Sequence, residues 1–151
     1  MAVGAGQKIP DFDLATSGGG RLCSGDLRGS RTVLYFYPKD DTTGCTLEAR
    51  EFTALLPRFA AHGVRVIGIS PDSAHSHDRF SSKCAIGFPL ISDPDTKLAT
   101  AFGTWVEKSM YRRTYMGIER STFLVAADGT VEKEWRKVKA SGHAQQVLAA
   151  L

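Results

Sequence analysis

The stretch Arg31-Thr-Val-Leu-Tyr-Phe-Tyr-Pro38-Lys-Asp-Asp-Thr42-Thr-Gly-Cys45-Thr-Leu-Glu48 decides the fold. Its first seven residues are rich in β-branched and aromatic side chains and stop at Pro38, the pattern of a buried strand. Beyond the polar segment that follows, Phe52, Leu55, Leu56 and Phe59 fall at i, i+3, i+4 and i+7. That spacing is the apolar stripe of an amphipathic helix, which Gly63 should end. Pro57 lies inside it, removes one backbone donor and is expected to kink it.

Outward from this unit, strands and helices alternate. Val64 to Ser70 reads as a second core strand, and Pro71-Asp-Ser73 supplies breaker and cap for a helix through about Ala85, with Phe80 and Cys84 on one face. Phe88 to Ile91 is a short strand, and Asp95 can cap a small helix carrying Leu98, Ala101 and Phe102. Ser121 to Ala127 and Thr130 to Trp135 flank Asp128-Gly129, a strong signal for a tight hairpin. Ser141 opens a closing helix with Ala144, Val147, Leu148 and Leu151 on one side. On the N-terminal side, Ser17-Gly-Gly-Gly20 is short enough to be a hairpin loop. The order predicts an α/β fold of thioredoxin-like type: a mixed central sheet flanked by helices, with an N-terminal hairpin extension, in one domain spanning 1–151.

The chain has 151 residues and a net charge of +3, with basic residues scattered among acids as in Lys133-Glu-Trp-Arg-Lys137. That reads as a solvated surface. Nucleic-acid binding asks for a basic stripe interleaved with exposed aromatics, and only Met110-Tyr-Arg-Arg-Thr-Tyr115 approaches it; a solvated loop is the ordinary explanation. No apolar run nears the roughly 20 residues of a membrane span, and the N-terminus lacks the features of a secretory signal, so no membrane role and a cytoplasmic location are expected.

Three cysteines, Cys23, Cys45 and Cys84, are widely spaced, odd in number and free of any Cys-x-x-Cys pair. This disfavours a secreted disulfide framework, a structural zinc site and a thioredoxin-type dithiol alike. Cys45 stands apart by its neighbourhood. If Thr42 is the N-cap, Cys45 is the third residue of the helix, where an anion meets unpaired backbone N–H groups and the positive end of the helix dipole. The thiolate is the nucleophilic form of cysteine, and it is such an anion. The bland alternative, a small buried residue, is common for free cysteine. It fits poorly with Gly44 and Thr46 as neighbours on a polar loop-to-helix junction.

The sequence resembles the peroxiredoxins, and within them the bacterioferritin comigratory protein or peroxiredoxin Q group. The resemblance runs through Pro10-Asp-Phe-Asp-Leu14, Phe36-Tyr-Pro-Lys39, the Pro38-x-x-x-Thr42-x-x-Cys45 signature, Gly68-Ile-Ser70, Phe88-Pro-Leu-Ile-Ser-Asp93 and Gly117-Ile-Glu-Arg-Ser-Thr-Phe-Leu124. It implies a thiol-dependent peroxidase acting on hydrogen peroxide and organic hydroperoxides. Cys45 would be the peroxidatic nucleophile, Pro38 would shield the sulfur, Thr42 would bind the peroxide, and Arg120 would stabilise thiolate and transition state. Glu48, one turn beyond Cys45, can orient such an arginine or stand as an exposed helix glutamate. Thr42 can aim its hydroxyl at the sulfur or at a substrate oxygen. No cofactor and no metal are implied.

A sulfenic acid formed on Cys45 condenses readily with a second thiol. In one version of the family that thiol lies five residues on, where this chain has Arg50. In another it lies on the following helix, where Ser81 holds the usual place and Cys84 comes one turn later. Cys84 is therefore the candidate resolving cysteine, and the turn around Cys45 is expected to unwind so that the sulfurs can meet. Cys23 reads as a packing or incidental thiol. Thioredoxin is the expected reductant, with glutaredoxin or glutathione as alternatives, and a monomer is the expected state. Two other readings remain: a one-cysteine peroxidase reduced by an external thiol, and a redox-sensing or holdase protein in which Cys45 oxidation switches binding. His75-Ser-His77-Asp78 has metal-like residue types, but two histidines at i, i+2 point apart on a helix, so the segment reads as a solvated helix start. His62 and His143 sit beside helix ends, where structural roles are ordinary.

Overall fold

The computed structural model describes residues 2–151. In chain order the elements are β1 (Asp13–Ala15), β2 (Arg21–Cys23), β3 (Arg31–Phe36), α1 (Thr43–Ala61), β4 (Val64–Ser70), α2 (Ala74–Cys84), β5 (Leu90–Ser92), α3 (Lys97–Ala101), β6 (Trp105–Met110), β7 (Arg113–Ile118), β8 (Ser121–Val125), β9 (Val131–Trp135) and α4 (His143–Ala149). Five strands form the central sheet in the order β5-β4-β3-β8-β9, with β3, β4 and β5 parallel and β8 and β9 antiparallel. β1 and β2 form the N-terminal hairpin, and β6 and β7 form another outside the central sheet. This is the thioredoxin-like arrangement expected from the order of elements.

The unbroken apolar character of β3 follows from burial on both faces. Val33, Tyr35 and Tyr37 point into a core closed by α1, α2 and α4 through Phe52, Phe80 and Val147. Leu34 and Phe36 point the other way, against Leu98 and Phe102 around α3 and against Phe123 of β8. Alternate residues of one strand thus serve two cores, as strand periodicity requires. Tyr37 still donates its N–H to Ile69 O at 3.0 Å, and Pro38, which has no N–H, ends the pairing there.

Helix α1 runs from Thr43 through Pro57 without interruption and stops at Ala61, where Gly63 takes the left-handed conformation. Ser73 caps α2 as expected, accepting from Ser76 N at 3.1 Å. Two caps differ from expectation. At α3 the chief acceptor is Asp93, whose carboxylate takes Leu98 N at 3.2 Å and Ala99 N at 2.9 Å, while Asp95 reaches only Lys97 N. At α4 the N-cap is Gly142, not Ser141, and its N–H donates to the Glu51 carboxylate of α1 at 2.8 Å, tying the two helices. The segment read as a solvated loop, Met110 to Tyr115, is the tip of the β6–β7 hairpin, turning at Tyr111 and Arg112 with φ of 51° and 64°. Among the described residues no helix is long and apolar enough to cross a membrane.

Candidate active site

The end of β3 and the start of α1 are joined by residues 37 to 42, and this loop is anchored from below. Asp40 is its anchor. Its carboxylate accepts from Tyr37 Oη at 2.6 Å and from Ser76 Oγ at 2.8 Å, and it faces His77 Nδ1 at 2.7 Å. Its N–H donates to Asp72 Oδ2 at 2.8 Å. His77 is fully buried, and its Nε2 faces Ile91 O at 2.9 Å. A carbonyl oxygen only accepts, so Nε2 is assigned as the donor to Ile91 O. The expectation of a solvated helix start therefore fails at His77: helix α2 turns it inward, where only a buried carboxylate can complete it. Asp40, Asp72 and His77 bring three metal-type donors within 4.8 Å. Each donor is already committed within this hydrogen-bonded network. Outside it, Lys83 of α2 holds Asp41 at 2.9 Å.

So anchored, the loop delivers Thr42 as N-cap and Cys45 as the third residue of α1. The first helical bond, Thr46 N to Thr42 O at 2.8 Å, closes around it. The Thr42 side chain makes no cap bond; its hydroxyl donates to Lys39 O at 2.9 Å. The hydrogen is thus committed, and what Thr42 offers a ligand is an accepting lone pair, not a donor aimed at the sulfur.

Arg120 comes from the link between β7 and β8. Its Nη2 donates to Cys45 Sγ at 3.4 Å, and its Nη1 donates to Glu48 Oε1. Glu48 lies one turn beyond Cys45, so a single guanidinium fork spans both positions. Glu48 is fully buried, not an exposed helix glutamate, and its Oε2 has no partner among the described residues. Burial pushes its carboxyl from 4.5 up to about 7, although Arg120 pulls the other way. For Arg120, burial disfavours the charge, but Glu48 and Cys45 together outweigh it and raise its pKa further. The arginine keeps its charge because a guanidinium does not give up its proton and the neighbouring Glu48 and Cys45 favour the cation, whereas Glu48 has lost all solvent.

Arg120 also lines a cleft of about 570 Å³, with Pro38, Val106, Lys108, Met110 and Tyr115 among its walls. Cys45 itself is 2% exposed and does not line this cleft; Arg120, which bonds its Sγ, connects the two. Gly44 makes the approach of Arg120 feasible: a Cβ there would stand 3.2 Å from Arg120 Nη2. Sequence reasoning read His77 as part of a solvated helix start and gave no role to Gly44, Asp40 or Lys108. Only Gly44, beside the cysteine in a helix's first turn where glycine is a poor choice, carried a local signal.

Cys84, at the C-terminal end of α2, is buried in the same core cluster as Cys45, and all three cysteines are free thiols. Ser81, one turn earlier, bonds Ile86 O. Cys23 is part-exposed at the end of β2. His143 is buried between Thr122 Oγ1 at 2.7 Å and Gln146 Oε1 at 3.1 Å, a structural position.

The AhpC/TSA family pattern matches residues 5–134. Peroxiredoxin Bcp of Xanthomonas campestris is 50% identical over 141 residues, covering 93% of this chain and 88% of that protein. Peroxiredoxin Bcp of Bacillus subtilis is 44% identical over 151 residues, covering 100% and 96%. Among solved structures, a cysteine-to-serine variant of Xylella fastidiosa PrxQ superposes with a TM-score of 0.94 at 40% identity, covering 99% of this chain and 96% of that one. The bacterioferritin comigratory protein of Xanthomonas campestris, described for its alkyl peroxide reduction activity, superposes with a TM-score of 0.88 at 49% identity, covering 92% and 88%.

Proposed function

The chain belongs to the AhpC/TSA family of peroxiredoxins and is a thiol-dependent peroxidase, and from that premise we propose that Cys45 is its peroxidatic nucleophile, activated and oriented by Arg120. The observation that carries this reading is the guanidinium fork shared between Cys45 Sγ and Glu48 at the first turn of α1. The Cys45 thiolate attacks one peroxide oxygen; the S–O bond forms, the O–O bond breaks, sulfur is oxidised to a sulfenic acid, and the other oxygen leaves as hydroxide or alkoxide. Negative charge moves from sulfur onto the leaving oxygen. A fixed cation beside both positions stabilises that transfer. Pro38 walls the cleft and limits water at the sulfur, and Thr42 accepts a hydrogen bond from the peroxide O–H. Hydrogen peroxide and organic hydroperoxides are the substrates of this scheme.

Support for Cys84 as resolving thiol is its place in the same core as Cys45, on the helix tied to the active-site loop. The first turn of α1 opens, the two sulfurs join, and a thioredoxin-type dithiol reduces the disulfide. The whole chain acts as one thioredoxin-like unit, as a cytoplasmic monomer. The test is peroxide consumption with thioredoxin and its reductase present. Many equivalents consumed per protein fit the reading; a halt after one equivalent fits a sensor and contradicts it.

Two expected results follow from the site. Cys84→Ser leaves the first oxidation of Cys45 within about twofold of wild type, since the step does not touch it, but lowers thioredoxin-supported turnover at least tenfold. Unchanged turnover would move resolution to Cys23 or an external thiol. Gly44→Ala sets a methyl group 3.2 Å from Arg120 Nη2, so the guanidinium must give way by a few tenths of an ångström. A displacement of about 1 Å can cost 10²-fold, so this smaller one should slow Cys45 oxidation about three- to tenfold. Stability should not fall, since alanine is the better helix former by up to ~1 kcal/mol. Stopped-flow oxidation and thermal melting of the one variant check both halves.

A further inference from the structure

The scheme above leaves one proton without a source, the one that the leaving oxygen must acquire. Arginine cannot supply it, because its guanidinium does not deprotonate in proteins. Glu48 is fully buried behind Arg120, and the hydrogen of Thr42 is given to Lys39 O. Among the described residues no histidine lines the cleft, but Lys108 does.

Its placement follows from the register of the β6–β7 hairpin. Val106 pairs with Gly117, Lys108 with Tyr115 and Met110 with Arg113. Paired residues of an antiparallel ladder share a face, so Val106, Lys108, Met110 and Tyr115 stand on one side, and all four line the cleft that contains Arg120. Gly117 then sets the direction of the lysine stem. A Cβ on Gly117 would lie 3.2 Å from Lys108 Cδ and 3.4 Å from its Cε. The stem therefore lies across the bare backbone of Gly117, along β7 toward Glu119 and Arg120, instead of rising into solvent. Lys8, Lys83 and Lys97 each face a carboxylate. Among the described residues Lys108 has no such ion pair.

Resting on the reading of Cys45 as nucleophile, we propose that Lys108 is the general acid of peroxide cleavage, donating its ammonium proton to the leaving oxygen while Cys45 takes the other. In balance, the thiolate and HO–OR give S–OH and RO⁻, RO⁻ takes the proton to leave as ROH, and the neutral amine is reprotonated from water. The surroundings suit the task. Burial, and next Arg120, lower the Lys108 pKa from 10.5, while Glu119 and Cys45 oppose them. A donor whose pKa moves toward the working pH is the better general acid. The remaining ionisable groups of the cleft are Glu107, Tyr115 and Lys137, of which none is buried.

The test compares a peroxide whose leaving group needs a proton with one whose leaving group does not. Ethyl hydroperoxide expels ethoxide, a strong base; peracetic acid expels acetate, which stays ionised at neutral pH. Cys45 oxidation is timed with each peroxide in wild type, Lys108→Gln and Lys108→Arg by quenched-flow alkylation of the remaining thiol. The expected result is a fall of about 10²-fold in the ratio of ethyl hydroperoxide to peracetic acid rate constants, in both variants, since arginine keeps the charge but not the acidity. A ratio unchanged in Lys108→Gln overturns the proposal, and so does a ratio restored by Lys108→Arg, which would reduce the role to charge. Failure of both peroxides to oxidise wild-type Cys45 would instead sink the nucleophile reading on which the proposal stands.

Discussion

Replacing Cys45 by serine is expected to lower peroxide turnover by at least about 10³-fold and to leave the fold intact. The magnitude reflects loss of the only atom that forms a bond to substrate; elsewhere, deletion of a nucleophile costs on the order of 10⁶. A serine hydroxyl is scarcely ionised near neutral pH and has none of sulfur's affinity for peroxide oxygen. The fold survives because the change is one atom at a site 2% exposed. A hydroxyl can still accept the hydrogen bond that Arg120 Nη2 now gives to Sγ at 3.4 Å. Peroxide loss followed with thioredoxin present, beside a thermal melt of the same sample, checks both halves. Turnover within tenfold of wild type would remove Cys45 from the chemistry.

Arg120→Met should cost about 10² to 10³-fold in the rate of Cys45 oxidation, the usual effect of removing a preorganised donor aimed at developing charge. Arg120→Lys should recover little, because a point charge cannot span the sulfur and Glu48 as the planar fork does. The same change has a stability signature with a definite sign. Glu48 in the folded protein sits at about 7 against 4.5 for an ordinary glutamate. The folded state therefore binds the proton more tightly than the unfolded chain, and the contribution is fully present below pH 4.5 and lost as pH rises through about 7. Without Arg120 the carboxyl loses its one hydrogen-bond partner among the described residues, and the window extends upward. Arg120→Met should then melt lower at pH 8 than at pH 5 by more than wild type does. Adding Glu48→Gln should erase that difference without restoring activity, which separates positioning from chemistry. Equal pH dependence in wild type and Arg120→Met would contradict the buried pair.

The parts of this architecture that were legible in sequence are those set by local pattern. The unalternating run Val33 to Tyr37 declared a strand with two buried faces, Asp128-Gly129 declared a turn, and Thr42 at three residues before Cys45 declared the helix entrance. What sequence did not reveal depends on distant partners. The β6–β7 hairpin turns on Tyr111 and Arg112, two non-glycine residues in left-handed conformation, so the usual turn chemistry was missing. Asp95 looked like the cap of α3, yet Asp93 lies deeper and reaches two amides. His77 could not be told from its neighbour His75, since only the tertiary fold turns one onto Asp40 and leaves the other exposed. Lys108 is ordinary in sequence. Its direction is set by an absent side chain on the opposite strand, at Gly117.

The account rests on Cys45 being the atom that meets peroxide. The most direct test exposes fully reduced protein to one equivalent of hydrogen peroxide, blocks the remaining thiols and maps Cys23, Cys45 and Cys84 by mass spectrometry. The predicted result is oxidation of Cys45, recovered as a disulfide with Cys84, with Cys23 alkylated. Cys45 recovered wholly as a blocked thiol after the peroxide has been consumed would contradict the central claim.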